Sequence, residues 1–573
     1  MRKTSVLFAL ALTLALAGSA SAASRGGGGD VLVTNGSPTG PFSQNKQNEP
    51  AVAIDAHASN IVVAGSNDEI DEEACNAGDP TRCPFTAGIG VSGFYFSSDS
   101  GHSWVQPTYT GWTARNCLGP APCTPGLGAI GTIPWYYESG LVADGDPALA
   151  FGPKPDSSGS FSWANGSRLY YANLTANFPG KSTFNGFEAI GVSRTDNAAA
   201  AAAGDKNAWM RPVLASMQSS TTFSDKEQVW ADNASSSPFF GSVYVCWANF
   251  KGNGRDGAAP LLVAVSSDGG DTWTQHPISA AANNSQVNPM DGCTVRTDSR
   301  GNAYVFGVGT DSAVGHAPFE FMSVSSNGGH NWSAQAPVAG PVNQPGIVDS
   351  VLGRPTIDGI AGARSDLAPA PSVDIANGAP DGSGATDRIV MSYVSGTIDN
   401  IHVFFTESAD QGATWSAPRA IETGAADRGY YTAPAISPNG TDVYVVYNAF
   451  TTPYRTNTTD PRALVGVFLH ASVGASGTGA FAELHRGASG DPRSSSQNNL
   501  VGEFLGDYVY AAATRTYGTA VWNDARNGVD CPAVDAWRMS LRTGTTVARP
   551  APQQDCPSLS FGNSDIYGFT TAR

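Results

Sequence analysis

SSDGGDTW, Ser266 to Trp273, follows the apolar run LLVAV and decides the fold. Three relatives stand elsewhere in the chain: SSDSGHSW (Ser97 to Trp104), SSNGGHNW (Ser325 to Trp332) and SADQGATW (Ser408 to Trp415). Each follows an apolar or alternating strand signal: GFYF, LLVAV, FEFMSV or IHVFF. Asp or Asn can bond backbone N–H groups across a tight turn, and Gly tolerates positive φ. The Trp then opens the next strand as a large apolar anchor. The phrase therefore reads as a strand–turn–strand corner, a scaffold element used four times.

A longer repeat surrounds these corners. Its opening is a polar residue, a small residue or Pro, and a short apolar strand. It recurs in NEPAVAID (from Asn48), DGDPALAF (Asp144), DKEQVWAD (Asp225), MDGCTVRT (Met290), GRPTIDGI (Gly353), YYTAPAIS (Tyr430) and LGDYVYAA (Leu505). A second strand generally follows, from NIVVAGS to TAVWND. In the second unit VSRTDNAAAAAAGDKNAW stands where a corner is due, and the last two units lack one. Such units bury their faces only against neighbours, so the expectation is an all-β propeller of four-stranded antiparallel blades. Seven blades are expected, with six as the alternative. DVLVT (Asp30 to Thr34) is expected to complete the last blade, and residues 30–573 to form one domain. Inserts near 69–90, 112–142, 361–388 and 451–462 read as loops, and the NCLGPAPC and PWYYES segment as a cover for one face.

The repeated phrase resembles the Asp box, or BNR repeat, of the sialidase-like β-propellers. In that family the box joins the third and fourth strands of a blade, away from the mouth of the central site. The resemblance implies a glycoside hydrolase with its site at that mouth. A sialidase uses three arginines for the substrate carboxylate, a glutamate-assisted tyrosine nucleophile and an aspartic acid/base. On this chain Arg354 and Arg428 are candidates for two of the arginines, and Tyr508 or Tyr430 for the tyrosine. Glu227 or Glu503 could assist, and Asp144 or Asp146 could be the acid. The Arg-Ile-Pro motif of sialidases is absent.

Repeat geometry by itself gathers the seven openings at one place. Besides those residues they bring Glu49, Asp225, Lys226, Asp291, Asp358, Tyr431 and Asp507. Acids outnumber bases there, a field that repels anionic sugars. Two other readings suit such a field: a paired-carboxylate glycosidase for a neutral glycan, or a calcium ion among carboxylates. No cofactor is otherwise required. DEIDEE (Asp68 to Glu73) reads as a solvated charged loop, with cation binding as its alternative. A non-catalytic propeller that binds glycan or protein is the competing functional class.

The chain has 573 residues, 41% hydrophobic and 14% charged, with 66 Gly and 37 Pro. That is a turn-rich globular profile. Residues 1–22 read as a secretory signal peptide, with Arg2 and Lys3 before an apolar run and Ala20-Ser21-Ala22 at the cleavage site. Residues 23–29 read as a flexible leader. Loss of Arg2 and Lys3 takes the formal charge of −17 two units further, to −19. Such a surface repels nucleic acid and anionic membranes. The expectation is a secreted monomer whose partner is an extracellular glycan or glycoconjugate. The eight cysteines suggest Cys75 with Cys83, Cys117 with Cys123, Cys246 with Cys293, and Cys531 with Cys556. Asn165, Asn173, Asn233, Asn283, Asn331, Asn439 and Asn457 begin glycosylation sequons. No Gly-x-Ser-x-Gly elbow, phosphate-cradling loop or His-Glu-x-x-His motif occurs.

Overall fold

The computed structural model describes residues 29–75, 85–119, 121–251, 259–279, 292–310, 314–315 and 317–571. The expected signal peptide, Asp291, Asn283 and the Cys83 half of one disulfide lie outside them. The corner at Ser266 folds as its residues dictate. Ser266 Oγ donates to Asp268 Oδ1 at 2.7 Å and accepts from Gly270 N at 2.8 Å. Asp268 in turn accepts from Thr272 N at 2.9 Å and from Thr272 Oγ1 at 2.6 Å. The same bonds recur around Asp99, and again around Asp410. Asn327 keeps the backbone bonds. The glycine of each copy, Gly101, Gly270, Gly329 and Gly412, has φ between 85° and 89°, where a side chain would be strained. Asp268→Ala removes the four hydrogen bonds its carboxylate accepts at one corner and is expected to cost ~1–2 kcal/mol, read as a lower Tm.

Seven antiparallel blades stand around one axis. Their innermost strands are Gln47–Ile54, Ala148–Pro155, Thr222–Ala231, Cys293–Thr297, Ser372–Ile375, Arg428–Ile436 and Tyr510–Ala513. The N-terminal strand Val31–Leu32 pairs with Asp565–Thr570 and closes the seventh blade, as its sequence suggests. The core is a ring of interfaces between blades. Ala148, Val192, Val229, Val245 and Trp247, for example, pack blade 2 on blade 3. The corner tryptophans extend these seams, Trp273 into that cluster and Trp332 and Trp415 into the next two. Cys246–Cys293 links blades 3 and 4. Cys117–Cys123 and Cys531–Cys556 are also formed.

Three sequence expectations are corrected. GRPTIDGI is not an innermost strand: Pro355–Thr356 pairs with Ile347–Val348 in a small separate sheet. The innermost strand of blade 5 is Ser372–Ile375, inside the segment read as a loop, because Val373 stands opposite Met391 in the ladder. DEIDEE is not a solvated loop. All six of its residues are buried, and the carboxylates of Asp68, Glu69, Asp71 and Glu72 have partners. Asp68 accepts from Tyr95 OH and Gln106 Nε2, each at 2.7 Å, and Asp71 from Arg115 Nη2 at 2.6 Å. Glu72 accepts from Thr86 N at 2.8 Å. The Asn173 sequon is also buried, inside a strand of blade 2.

Candidate functional site

The innermost strands of blades 1, 2 and 3 begin with the same irregularity. Glu49, Asp146 and Lys226 have φ of 56°, 53° and 57°, and Gly292 and Gly506 have φ of 89° and 81° near the starts of the strands of blades 4 and 7. Left-handed backbone in a non-glycine residue is strained and persists only where its surroundings hold it. Here the strain turns three charged side chains toward the axis, where they meet. Lys226 Nζ lies 2.5 Å from Asp146 Oδ2, 2.8 Å from Asp507 Oδ2 and 3.3 Å from Glu49 Oε2. Arg364 Nε donates to Asp507 Oδ1 at 2.9 Å, and its Nη2 lies 3.4 Å from Glu49 Oε1. Tyr431 OH adds a bond to Asp507 at 3.1 Å.

This cluster holds three carboxyls against two cations, so one proton makes it neutral. The proton belongs to Glu49. Burial and then the Asp146 charge push its carboxyl well above the usual range. Burial also acts to raise Asp146, but Lys226 and a hydrogen bond from Glu49 outweigh it and hold that carboxyl low. The carboxylates that could have held calcium thus converge on a built-in ammonium. Among the described residues one group has metal-ligand spacing, Glu73 with Cys117 and Cys123, and its two sulfurs are bonded to each other.

Above the cluster lies a cleft of about 500 Å³. Arg364, Asn48 and Asn67 line its floor, and Lys46, Glu69, Asp144 and Arg354 stand around it with Phe85 and Phe504. Lys46 Nζ pairs with Glu69 Oε1 at 2.6 Å, and Asn498 Nδ2 donates to Glu69 Oε2 at 2.9 Å. Arg354 is held by Asp366 at 3.1 Å. Burial, then the neighbouring Asp146 charge, raises the Asp144 carboxyl to about 6.

The structure therefore divides the sequence candidates among several places. Asp144 and Arg354 line the cleft, while Asp146 and Asp507 belong to the ion cluster. Glu227 and Tyr508 line a separate inner cavity. Arg428 donates to the carbonyls of Thr452 and Ile357 at 2.7 and 2.8 Å, a clamp between loops. Tyr430 OH donates to Gly506 O at 3.1 Å. Glu503 is salt-bridged to fully buried Arg462, which also holds Asp358 at 3.3 Å. Lys46, Glu69 and Arg364 were not among the candidates. Lys46 lies just before an opening and Glu69 in the acidic run. Arg364 sits in an Ala/Gly-rich insert with no motif around it.

The fold is a seven-bladed β-propeller. No protein-family model and no curated protein matches the chain. Solved structures do. The leech intramolecular trans-sialidase is 12% identical, with 74% of this chain and 67% of that one covered and a TM-score of 0.40. The phage phi92 endosialidase is 8% identical, covering 95% and 69%, with a TM-score of 0.39. The Penicillium chrysogenum α-L-arabinanase is 10% identical, covering 74% and 92%, with a TM-score of 0.38. At these identities the likeness is one of fold.

Proposed function

We propose that the protein is an extracellular glycoside hydrolase that cleaves uncharged glycans in the mouth cleft. One observation carries this reading. Asp144, a carboxyl raised to about 6, and Glu69, a carboxylate held by Lys46 and Asn498, open onto the same cavity. Two carboxyls with different environments are what acid and base roles need. Asp144 gives its proton to the glycosidic oxygen as that bond breaks. Glu69 takes a proton from the water whose oxygen bonds to the anomeric carbon. The cations support an uncharged substrate, because Lys46, Arg354 and Arg364 are each already held by a carboxylate. The tyrosines do not support a sialidase mechanism. Of the two candidates, Tyr430 spends its hydroxyl on Gly506 O with its phenol pushed well up by burial, and Tyr508 lines the inner cavity rather than the cleft. The three disulfides among the described residues favour an oxidising compartment. Among the described residues no helix is long and apolar enough to cross a membrane.

The test is hydrolysis of a panel of aryl glycosides, neutral sugars and a sialoside, by the purified protein. Release from a neutral glycoside is expected, with kcat falling as pH rises above about 6 because Asp144 must hold its proton to act. Release from the sialoside alone overturns the substrate assignment. Silence across the panel, with retention on a glycan array, makes the protein a binding propeller.

A further inference from the structure

A second cavity, of about 260 Å³, opens at the other end of the axis, where the innermost strands finish. It abuts the inner cavity of about 50 Å³, and Gln228 and Tyr510 line both. At the deep end stand Glu227, Tyr508 and Tyr510. Glu227 is 3% exposed, and neither carboxyl oxygen has a partner. No bond to either tyrosine hydroxyl occurs among the described residues. A buried polar group without a partner costs free energy comparable to a lost hydrogen bond. Glu227 is such a group, and with the hydroxyls of two half-buried tyrosines beside it the cavity calls for an occupant with donors and acceptors of its own.

The rim indicates its chemistry. Trp230 lines the cavity, its indole N–H spent on Thr297 Oγ1 at 2.9 Å and the Arg296 guanidinium 4.6 Å from its ring centroid. Rim charges are matched: Arg296 lies 3.4 Å from Asp374, and Arg515 lies 3.7 Å from Asp381. Burial, then the Asp146 charge, favours the neutral Glu227 carboxyl. Neither end offers an unbalanced charge to an ion, while aromatic faces suit the C–H faces of a sugar. The larger volume is near the lower end of the range of about 300–1,000 Å³ for small-molecule sites.

We propose that this axial cavity is a second ligand site, on the face opposite the cleft, for an uncharged polyhydroxylated molecule of monosaccharide size. Glu227, Tyr508 and Tyr510 bind its hydroxyls, and Trp230 supports its ring. The site does not depend on hydrolysis in the cleft.

Calorimetric titration of the whole protein with glucose, galactose, xylose and myo-inositol tests this. At least one probe is expected to saturate a single site with a Kd of about 10 mM or tighter. Binding should be equal in wild type and in Asp144→Asn, and weaker by about fivefold or more in Tyr510→Phe. Trp230→Phe, which keeps an aromatic ring in the seam, should also weaken it. Hydrolysis in the cleft should be unchanged by both channel variants. Three results overturn the proposal. One is no saturation by any probe, which would mean hydration only. Another is binding that Asp144→Asn abolishes, which would place it in the cleft. The third is binding that neither Tyr510→Phe nor Trp230→Phe alters.

Discussion

Asp144→Asn is expected to lower kcat on an alkyl glycoside by about 10²–10⁴-fold, the range for loss of a positioned general acid. The variant keeps the shape of the side chain and replaces an acid that can give its proton by an amide that neither gives one nor ionises. The loss should therefore depend on the leaving group. An aryl glycoside whose phenol leaves readily without protonation should lose far less than an alkyl one. The fall in kcat above pH about 6 should vanish, since Asp144 carries that titration. Glu69→Gln should slow both substrates alike, because the attacking water needs its base whichever group departs. Equal loss on both substrates in Asp144→Asn would sink the acid assignment. Stability should move the other way. The folded pKa lies above the unfolded one, so ionising Asp144 costs the native state as pH rises through that interval. The variant should thus melt no lower than wild type at pH 7.5, and any gain should disappear near pH 4. Activity lost while stability holds is the mark of a group placed for chemistry.

The fold was legible in the sequence because its turns are local. Ser, Asp, Gly and Thr at fixed offsets close a corner with bonds that reach no further than four residues. Repetition then gave the blades and the place where the openings meet, and so Asp144, Asp146 and Asp507. What repetition could not show was what those acids meet. Arg364 arrives from the stretch before the innermost strand of blade 5, a strand concealed by the short form SVDI. DEIDEE looked solvated because five acidic residues in a run of six rarely enter a core. It is buried because Tyr95, Gln106, Arg115 and Thr132, all distant in sequence, supply its hydrogen bonds. The same distance hid Glu69, whose partners Lys46 and Asn498 lie 23 and 429 residues away along the chain.

Lys226→Met should be the most destabilising single change at the axis, by about 3–5 kcal/mol, the usual cost of stranding buried charges by removing one partner. Lys226 is 4% exposed and touches a carboxylate from each of blades 1, 2 and 7. Methionine keeps much of the volume and the same left-handed backbone strain, so the change reports the lost ammonium. Arg364 alone would then face Glu49, Asp146 and Asp507. The simplest relief is for Asp146 to take up a proton. Asp146 is held low in the folded protein chiefly by Lys226, so its ion pairing favours the native state above the unfolded carboxyl range and is lost as pH falls. Without the ammonium that contribution is gone. The gap in Tm between variant and wild type should therefore be widest near neutrality and narrow toward pH 4. Asp146→Asn placed on Lys226→Met should recover part of the loss, although Asp146→Asn alone is destabilising. Neighbours sharing one network commonly couple by about 0.5–3 kcal/mol. Strict additivity of the two changes, or a gap in Tm that does not vary with pH, would mean that the cluster is not the charge-balanced unit its geometry describes. A lysine that ties three blades at the axis also bears on the cleft, whose floor includes Arg364. A variant that remains folded should bind substrate more weakly, through a raised KM, because Arg364 would no longer share Asp507 with a second cation.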